Sequence, residues 1–488
     1  MNRSNPGRSG RSIGGADFLQ LDPAEALPGG LADWLTDRLR TAISTGHLPI
    51  GTRLPATRTL ATDLGISRGV VTESYQRLTE DGHLTTHGRS GTIVARAQFS
   101  TTPTEPRRTT STTVLGAPDL EIFDNLRAAP ARIDLTPGVP DLAAFPRTAW
   151  LRAERAVLND LESANFGYGD PAGTPALRRA VANWLARNRG IAADPDDLII
   201  VAGVAQAIGL VAQVLDQRGV HEIAVEDPGS LGSRQHLQNW GMHTPPIPVD
   251  DRGLQVDVLR ESAAKVVMVT PAHHFPTGVV LDGERRRELI QWAADGGLII
   301  EDDYDAEHRY DRPPVPALRA MLTDQVIYAG SISKLLAPAL RIGWMLAPPQ
   351  YKDDLIGRKR LADLGNAALP QLTLAHLMES GELERHLHFL RRRHRIRRDA
   401  MVTAIHNYLP TATIHGAAAG LHLTITLADT INDTELAASA LAKGVKTHPL
   451  SWHSQLPHAP GLVLGYAART TTEITEAIAT IASVPTNS

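Results

Sequence analysis

The sequence predicts an α/β protein in which a small helical module precedes a large domain built on a parallel sheet. Three observations predict this fold class. A helix-turn-helix pattern lies near the start of the chain, a stretch rich in Thr, Pro and Arg follows it, and the remainder alternates short apolar runs with helical patterns. Such alternation is typical of a parallel sheet that helices cover on both faces.

The composition excludes several classes of protein. Of 488 residues, 42% are apolar and 21% charged, which fits neither a disordered nor a fibrous chain. The 49 basic and 53 acidic residues give a formal net charge of −4, so any contact with nucleic acid must be local. Cysteine is absent, which excludes disulfides and thiolate zinc sites. We expect no secretory signal and no membrane span, and hence a cytoplasmic protein.

Breaks in composition predict four segments. Residues 1–30, with arginines among Ser, Gly and Pro, are predicted to be a disordered tail, and residues 31–97 a small domain. Residues 98–131 have little to bury and are predicted to be a linker. Residues 132–488 form the large domain.

The small domain shows the pattern of a helix, a tight turn and a second helix. Apolar residues recur at helical spacing over 31–43, a second helix starts near Thr57 as a candidate cap, and Gly65 ends it. Ser67 is the predicted cap of a third helix over 68–81. A hairpin with a basic tip follows this helix.

This geometry suits DNA, because a capped short helix can enter the major groove while basic side chains reach phosphates on either side. The predicted DNA-contacting residues are Arg58, Ser67, Arg68, Thr72 and Arg89. Only eight arginines oppose six acidic residues over 31–96, so a helical module that binds protein stays open on charge alone.

Resemblance decides between these two readings. The stretch 51–95 is similar to the winged helix-turn-helix of the GntR family, from its Pro-x-x-Arg-x-Leu-Ala motif to its glycine-containing wing. It departs from the family at Ala56, where the family has Ser, and at Val70, where the family has Thr. The resemblance implies a DNA-binding domain that recognises a double-stranded operator.

Five apolar runs in the large domain predict sheet strands, and ligands of such sheets lie beyond the carboxyl ends of the strands. These runs are 198–201, 222–225, 266–270, 298–300 and 326–329.

Three patterns follow the predicted strands and carry chemistry. In Ser331-Ile332-Ser333-Lys334, with Arg341 further on, an amine can condense with an aldehyde while hydroxyls and a guanidinium suit a phosphate. Residues 301–305 form an acidic cluster, and Gly203 opens a helix whose free amides can bind an anion. Taken alone, the first pattern could be an exposed lysine and the acidic cluster could be a solvated loop. The prediction therefore depends on all the patterns together.

The whole set resembles the fold-type I, pyridoxal phosphate-dependent aminotransferases, and its fusion to a GntR-like module resembles the MocR family of transcription regulators. This resemblance implies pyridoxal 5'-phosphate as cofactor. It implies Lys334 as the lysine of the internal aldimine and Asp302, in preference to Asp303, as the partner of the pyridinium. Tyr304 would contact the ring oxygen. The implied phosphate ligands are Ser331, Ser333, Arg341, Val204, Ala205 and, from a second subunit, Tyr168, which implies a homodimer.

Two departures from the aminotransferase pattern concern the cofactor ring. Phe275 occupies the position at which the enzymes usually have the second Asn of their Asn-Pro-x-Asn-Pro-Thr-Gly motif, and His273 or His274 is the candidate substitute. Ser230 follows Asp-Pro-Gly, where the family often has a stacking aromatic residue. His236 is a candidate cover for the ring, although a surface position is the stronger expectation.

A third departure concerns the substrate. The stretch 447–453 lacks the arginine that binds the substrate carboxylate in amino-acid-binding members, and Arg469 lies further on as a replacement. We expect no strong carboxylate clamp.

We therefore expect a transcription regulator of genes for vitamin B6 synthesis or for amino-acid and amine metabolism. The expected effector is pyridoxal phosphate itself, with an amino compound as second choice. Sustained turnover is not expected, although a residual half-transamination is compatible with Lys334. Two alternatives stay open: an active aminotransferase with a vestigial DNA-binding module, and a DNA-binding protein whose large domain is an inert dimerisation scaffold.

Overall fold

The computed structural model of the protein describes residue 19 and residues 21–27, 30–86, 91–95, 118–305, 307–310, 315–416 and 418–485. The chain divides into two compact units, Met1–Thr110 and Ser111–Ser488.

The described part of the small unit contains three α-helices and a pair of antiparallel strands. These elements are α1 (Leu31–Ser44), α2 (Thr57–Leu64), α3 (Arg68–Glu80), β1 (Leu84–Thr86) and β2 (Thr92–Val94). Gly65 adopts a left-handed conformation, φ +65°, that turns the chain sharply between α2 and α3. Ser67 caps α3, since its Oγ accepts from the Val70 amide at 3.3 Å. The prediction of Thr57 as the cap of α2 was wrong: Thr57 is the first helical residue, and its Oγ1 accepts from Arg68 Nε at 3.4 Å.

The cap at Ser67 leads to a prediction about α3. Ser67→Ala should lower the local stability of α3 by about 1 kcal/mol, because one amide of the first turn loses its acceptor. Hydrogen exchange of the α3 amides in the full chain would show this as roughly fivefold faster exchange. Ser67→Asp keeps an acceptor at the cap and should preserve protection. Equal protection in Ser67→Ala and the wild type would contradict this role.

The large unit places helices around two main sheets. Its helices are α4 (Ile122–Ala128), α5 (Arg147–Asp160), α6 (Pro175–Arg189), α7 (Val204–Gln217), α8 (Leu231–Asn239), α9 (Val256–Glu261), α10 (Gly283–Ala294), α11 (Pro349–Asp363), α12 (Ala368–Glu379), α13 (Glu382–Tyr408), α14 (Asp433–Ala442) and α15 (Thr471–Ala482). Its strands are β3 (Ile133–Asp134), β4 (Leu198–Val201), β5 (Ala224–Asp227), β6 (Pro246–Asp250), β7 (Gly253–Leu254), β8 (Val266–Val269), β9 (Leu298–Asp303), β10 (Val326–Ser331), β11 (Gly343–Leu346), β12 (Thr413–His415), β13 (His422–Thr426), β14 (Val445–Lys446), β15 (His448–Pro449) and β16 (Gly461–Gly465).

The main sheet has eight strands in the order β4-β11-β10-β9-β8-β5-β6-β7. Its centre, β10-β9-β8-β5-β6, is parallel as predicted. The prediction of a parallel sheet was wrong for two strands: β11 runs antiparallel to both β10 and β4, and β7 runs antiparallel to β6. Residues 332–342 connect β10 to β11, and so short a segment suits an antiparallel neighbour better than a parallel crossover. The sheet nevertheless brings the carboxyl ends of β4, β9 and β10 to one edge.

The second sheet lies in the C-terminal part of the large unit. Its strand order is β12-β13-β16-β15, and α13 and α15 contribute to the apolar core beside it. A helix also lies where a linker was predicted: α4 buries Ile122 and Leu126 against Leu231 and Trp452. Packed structure of the large unit therefore extends N-terminal of residue 132. Within the described ranges, no helix has the length and apolar character needed to cross a membrane.

Candidate functional site

The cleft at the carboxyl edge of the main sheet contains Lys334. This residue follows β10 in the short connection to β11, and its Nζ donates to the carbonyl of Gly138 at 2.6 Å. Gly138 has φ +74°, and a Cβ there would lie 3.0 Å from that same Nζ. Burial lowers the pKa of the Lys334 ammonium, while Asp305 and Asp302 oppose the shift. A buried amine with a lowered pKa is suited to nucleophilic chemistry.

Strand β9 carries three buried carboxylates that differ in their hydrogen-bond partners. Asp303 Oδ2 accepts from Arg189 Nε at 2.5 Å and from the Tyr328 hydroxyl at 2.7 Å. Glu301 accepts from two backbone amides, one at each oxygen, whereas Asp303 Oδ1 has no partner among the described residues. Asp302 lies between them on the strand and so faces the opposite side of the sheet. Within the described residues its Oδ1 has no hydrogen-bond partner.

The environment of Asp302 makes it a strong acceptor for a cationic ligand. Burial, together with the charges of Asp303 and Asp305, raises the pKa of its carboxyl group to about 7, and the charge of Lys334 opposes this shift. A buried carboxylate without a hydrogen-bond donor is costly, because desolvation is not compensated. A ligand that brings a positive N–H to Asp302 would remove that cost.

Tyr304 lies beside a histidine. Its hydroxyl is 3.0 Å from His273 Nδ1, and the same nitrogen is 3.0 Å from Asp305 Oδ2. His274 has a different role, since its Nδ1 lies 2.6 Å from Thr277 Oγ1 and its Nε2 lies 3.6 Å from Glu226 Oε2. Of the two candidate substitutes for the missing Asn, the structure thus brings His273 to Tyr304 and leaves His274 among structural partners.

An anion cradle forms where β4 passes into α7. Gly203 has φ +87°, and a Cβ there would lie 3.4 Å from Arg341 Nη1. The Arg341 side chain donates from Nη2 to the carbonyl of Ala202. No side chain caps α7 among the described residues, so the amides of Val204 and Ala205 are free to bind an anion at the helix N-terminus.

Strand register brings the two serines to this cradle. Ser331 pairs with Gly343 across β10 and β11, and Gly343 pairs with Val201 of β4. Ser331 Oγ accepts from the Ser333 amide at 3.4 Å, so the two residues share a turn. The predicted serine ligands therefore lie on the strands next to the start of α7. Tyr168 stands 94% exposed in the single chain.

The wall of the cleft is formed by residues that follow β5 and β8. Ser230 caps α8, accepting from the Ser233 amide at 3.2 Å, and it lines the cleft together with Phe275 and Asp302. The Phe275 ring packs edge-on against Tyr304, with centroids 6.2 Å apart.

Two predicted candidates lie elsewhere. His236 is half-buried against α7, near Gly209 and the Ala205 backbone, which agrees with neither an exposed position nor a stacked one. Arg469 donates from Nε to the carbonyl of Asp134 at 2.8 Å. The guanidinium of Arg469 is thus partly used by the backbone.

Sequence reasoning missed three residues of the cleft. Gly138 holds the Lys334 amine, and Glu226 and Arg234 line the wall. Glu226 stands at the end of β5, and an acidic residue after an apolar run was the same signal that revealed Asp302. Burial raises the pKa of Glu226 to about 8, and hydrogen bonds from Thr270 oppose that shift. Arg234 gave no signal, because its partners are carbonyls of residues 452 and 453.

In the small unit, four of the five predicted DNA-contacting residues are described, and all four are exposed. Arg68 and Thr72 lie on the exposed side of α3, Arg58 lies on α2, and Ser67 begins α3. The buried stripe of α3 contains Val71, Ser74, Tyr75 and Leu78. Arg89 lies outside the described residues.

Comparison with known proteins assigns both units. Residues 131–481 match the family model of aminotransferase class I and II, and residues 31–94 match that of bacterial regulatory proteins of the gntR family. The chain is 33% identical over 449 residues to the probable rhizopine catabolism regulatory protein MocR of Rhizobium meliloti, with 89% of each chain covered. It is 32% identical over 406 residues to the HTH-type pyridoxine biosynthesis transcriptional regulator PdxR of Corynebacterium glutamicum, covering 83% of this chain and 84% of the relative.

Solved structures agree with this assignment. The kynurenine aminotransferase of Pyrococcus horikoshii, solved in complex with PMP, has a TM-score of 0.68 and 26% identity, covering 74% of this chain and 92% of the other. The chain belongs to the aminotransferase class I and II family and, through its fused GntR domain, to the MocR subfamily of transcription regulators. The predicted fold class and family are confirmed, and the GntR domain implies DNA binding.

Proposed function

We propose that this regulator binds pyridoxal 5'-phosphate in the cleft at the edge of the main sheet, and that binding changes its affinity for a DNA operator. One observation carries the proposal. A part-buried amine, a buried carboxylate without a donor and an anion cradle lie at the same carboxyl edge of the main sheet, in a chain that also has a helix-turn-helix domain. Lys334, Asp302 and Arg341 represent these three features.

The residues present fit this cofactor at its two ends. Asp302 would hold the protonated ring nitrogen, and the Tyr304 hydroxyl would hold the ring oxygen. Lys334 would bind covalently, since pyridoxal phosphate, when bound, supplies an aldehyde that condenses with amines and a ring that withdraws electrons. Ser331, Ser333 and Arg341, with the amides of Val204 and Ala205, would hold the phosphate.

Pairing of two subunits would complete the site. Tyr168 stands almost fully exposed in the single chain, which suits a side chain that reaches the phosphate of a second subunit. A homodimer also matches a two-fold symmetric operator on cytoplasmic DNA, because each subunit then reads one half-site. The cofactor can act as an effector only if it favours one arrangement of the dimer over another. We assign that role to pyridoxal phosphate itself, with an amino compound as the second choice.

The proposed contact between Arg68 and a DNA phosphate predicts how the affinity for DNA depends on salt concentration. Arg68→Ala should weaken binding to all DNA sequences by a similar factor and should lower the slope of log affinity against log salt concentration by about 0.9. DNA retardation over a series of salt concentrations would measure both effects. Arg40→Ala is the matched control, since Arg40 on α1 pairs with Asp37 and Asp81. An unchanged slope for Arg68→Ala would place this side chain away from the backbone of the DNA.

A working aminotransferase is the second candidate function. The aromatic-amino-acid aminotransferase 1 of Thermococcus litoralis is 30% identical over 329 residues, covering 65% of this chain and 79% of the relative. The stretch 447–453 argues against turnover, because it contains no arginine that could bind a substrate carboxylate. Incubation with a panel of amino donors and keto acids decides between the two. We expect at most one equivalent of keto acid per subunit, and sustained production would overturn the regulator-only interpretation.

A further inference from the structure

Lys359 on α11 is a buried lysine that the proposed function does not use. Its side chain is fully buried, and its Nζ lies 2.9 Å from Asp363 Oδ2, 2.6 Å from Asn366 Oδ1 and 3.3 Å from Gln206 Oε1. A buried ammonium is costly unless every proton has an acceptor, and here acceptors surround it.

Two of these acceptors lead directly to the anion cradle. Gln206 Oε1, which accepts from Lys359, also accepts from the Ala202 amide at 2.7 Å. Asn366, whose Oδ1 accepts from Lys359, donates from Nδ2 to the carbonyl of Arg341 at 3.3 Å.

A hydrogen-bonded ring results. It closes because the Arg341 side chain donates to the carbonyl of Ala202, so Lys359, Gln206, Ala202, Arg341 and Asn366 are connected in sequence. Ala202 lies immediately before Gly203, the residue that opens α7. The ring thus fixes both sides of the cradle, the start of α7 and the backbone of Arg341. Connected polar networks of this kind hold one geometry when all their members are satisfied.

The ring also holds Arg341 in a strained conformation. Arg341 has φ +51°, which a residue other than glycine adopts only when its surroundings impose it. Two hydrogen bonds impose it here. Asn366 donates to the carbonyl of Arg341, and the Arg341 guanidinium donates to the carbonyl of Ala202. Loss of the ring would allow Arg341 to leave this conformation, and with it the cradle.

We propose that Lys359 is a positioning residue that sets the phosphate-binding geometry of the cleft and so makes the regulator selective for the phosphorylated form of the vitamin. Lys359 contacts no ligand itself and acts through Gln206 and Asn366. This inference rests on the proposed binding of pyridoxal phosphate.

The test compares two ligands that differ by one phosphate. Full-length wild type, Lys359→Met and Asn366→Ala are titrated with pyridoxal phosphate and with pyridoxal, and affinities are read from absorbance spectra. We expect the preference for pyridoxal phosphate to fall roughly tenfold in both variants, while the affinity for pyridoxal is unchanged. Lys352→Met is the control, since Lys352 lies on the same helix and pairs with Asp197 at 2.8 Å, outside the ring.

The outcomes separate the claims. A wild type that binds neither ligand overturns the proposed function. A wild type that prefers pyridoxal phosphate, with an unchanged preference in the variants, overturns the role of Lys359 alone. An equal loss of affinity for both ligands also overturns it, because a purely structural role would affect them alike. Asn366→Ala breaks the ring without removing the buried charge of Lys359. This variant therefore tests the role of the ring even if Lys359→Met fails to fold.

Discussion

Lys334→Ala is expected to abolish covalent capture of pyridoxal phosphate and to remove the effect of that compound on DNA binding. The Lys334 amine donates to the carbonyl of Gly138, and burial lowers its pKa. The described residues that line the cleft wall include no lysine that could replace it. The phosphate cradle and Asp302 remain in the variant. We therefore expect weak non-covalent binding, at least about 100-fold weaker than in the wild type.

Mass spectrometry after borohydride reduction measures this effect. The wild type should carry one cofactor per chain on the peptide that contains Lys334, and Lys334→Ala should carry none there. Lys352→Ala, at a partly exposed ion pair on α11, is the control and should behave as the wild type. An adduct of equal yield on another lysine, or operator affinity that responds to the cofactor in Lys334→Ala, would contradict the role of Lys334. Operator affinity that is indifferent to the cofactor in the wild type as well would favour the inert-scaffold alternative.

Asp302→Asn should weaken binding of pyridoxal phosphate by about 100-fold, since breaking a buried ion pair costs several kcal/mol. The amide keeps the shape of the carboxylate but loses the charge that would hold the protonated ring nitrogen. Asp303→Asn is not a neutral control, because Asp303 pairs with buried Arg189. Asp257→Asn is the suitable control, because the Asp257 side chain on α9 is exposed. Equal affinity in Asp302→Asn and the wild type would remove Asp302 from the site.

The same variant has a pH signature without cofactor. Burial raises the pKa of Asp302 from 3.8 to about 7, so the folded protein retains this proton while the unfolded chain has lost it. The stabilising contribution of the protonated form is therefore lost as pH rises through about 7. Asp302→Asn should gain thermal stability relative to the wild type between pH 5 and pH 8, since the amide never ionises. A constant difference in Tm across that range would contradict the raised pKa.

The sequence predicted what local chemistry determines. The cap at Ser67 and the turn at Gly65 depend on residues a few positions apart, and the structure has both. The residues at the carboxyl ends of β9 and β10 were found because the carboxyl ends of parallel strands meet at one edge of the sheet. The choice of Asp302 over Asp303 agrees with the strand period, since Arg189 occupies the other face.

Features that depend on contacts between residues far apart in the sequence could not be predicted. The direction of β11 depends on its neighbours β10 and β4, and β4 is more than a hundred residues away. The Lys359 ring joins residues 202–206, 341 and 359–366, and no segment of it is distinctive alone. Likewise α4 is short and lies in a polar stretch, so its burial against Trp452 is visible only in the fold.

The most direct test of the account is retardation of the DNA upstream of the protein's own gene, measured with and without pyridoxal phosphate. A ligand with tenfold preference for one dimer arrangement can shift operator affinity by up to tenfold. We expect a shift of that order with pyridoxal phosphate and none in Lys334→Ala. Identical operator affinity with and without the compound, in protein shown to carry it on Lys334, would contradict the claim that the cofactor is the signal.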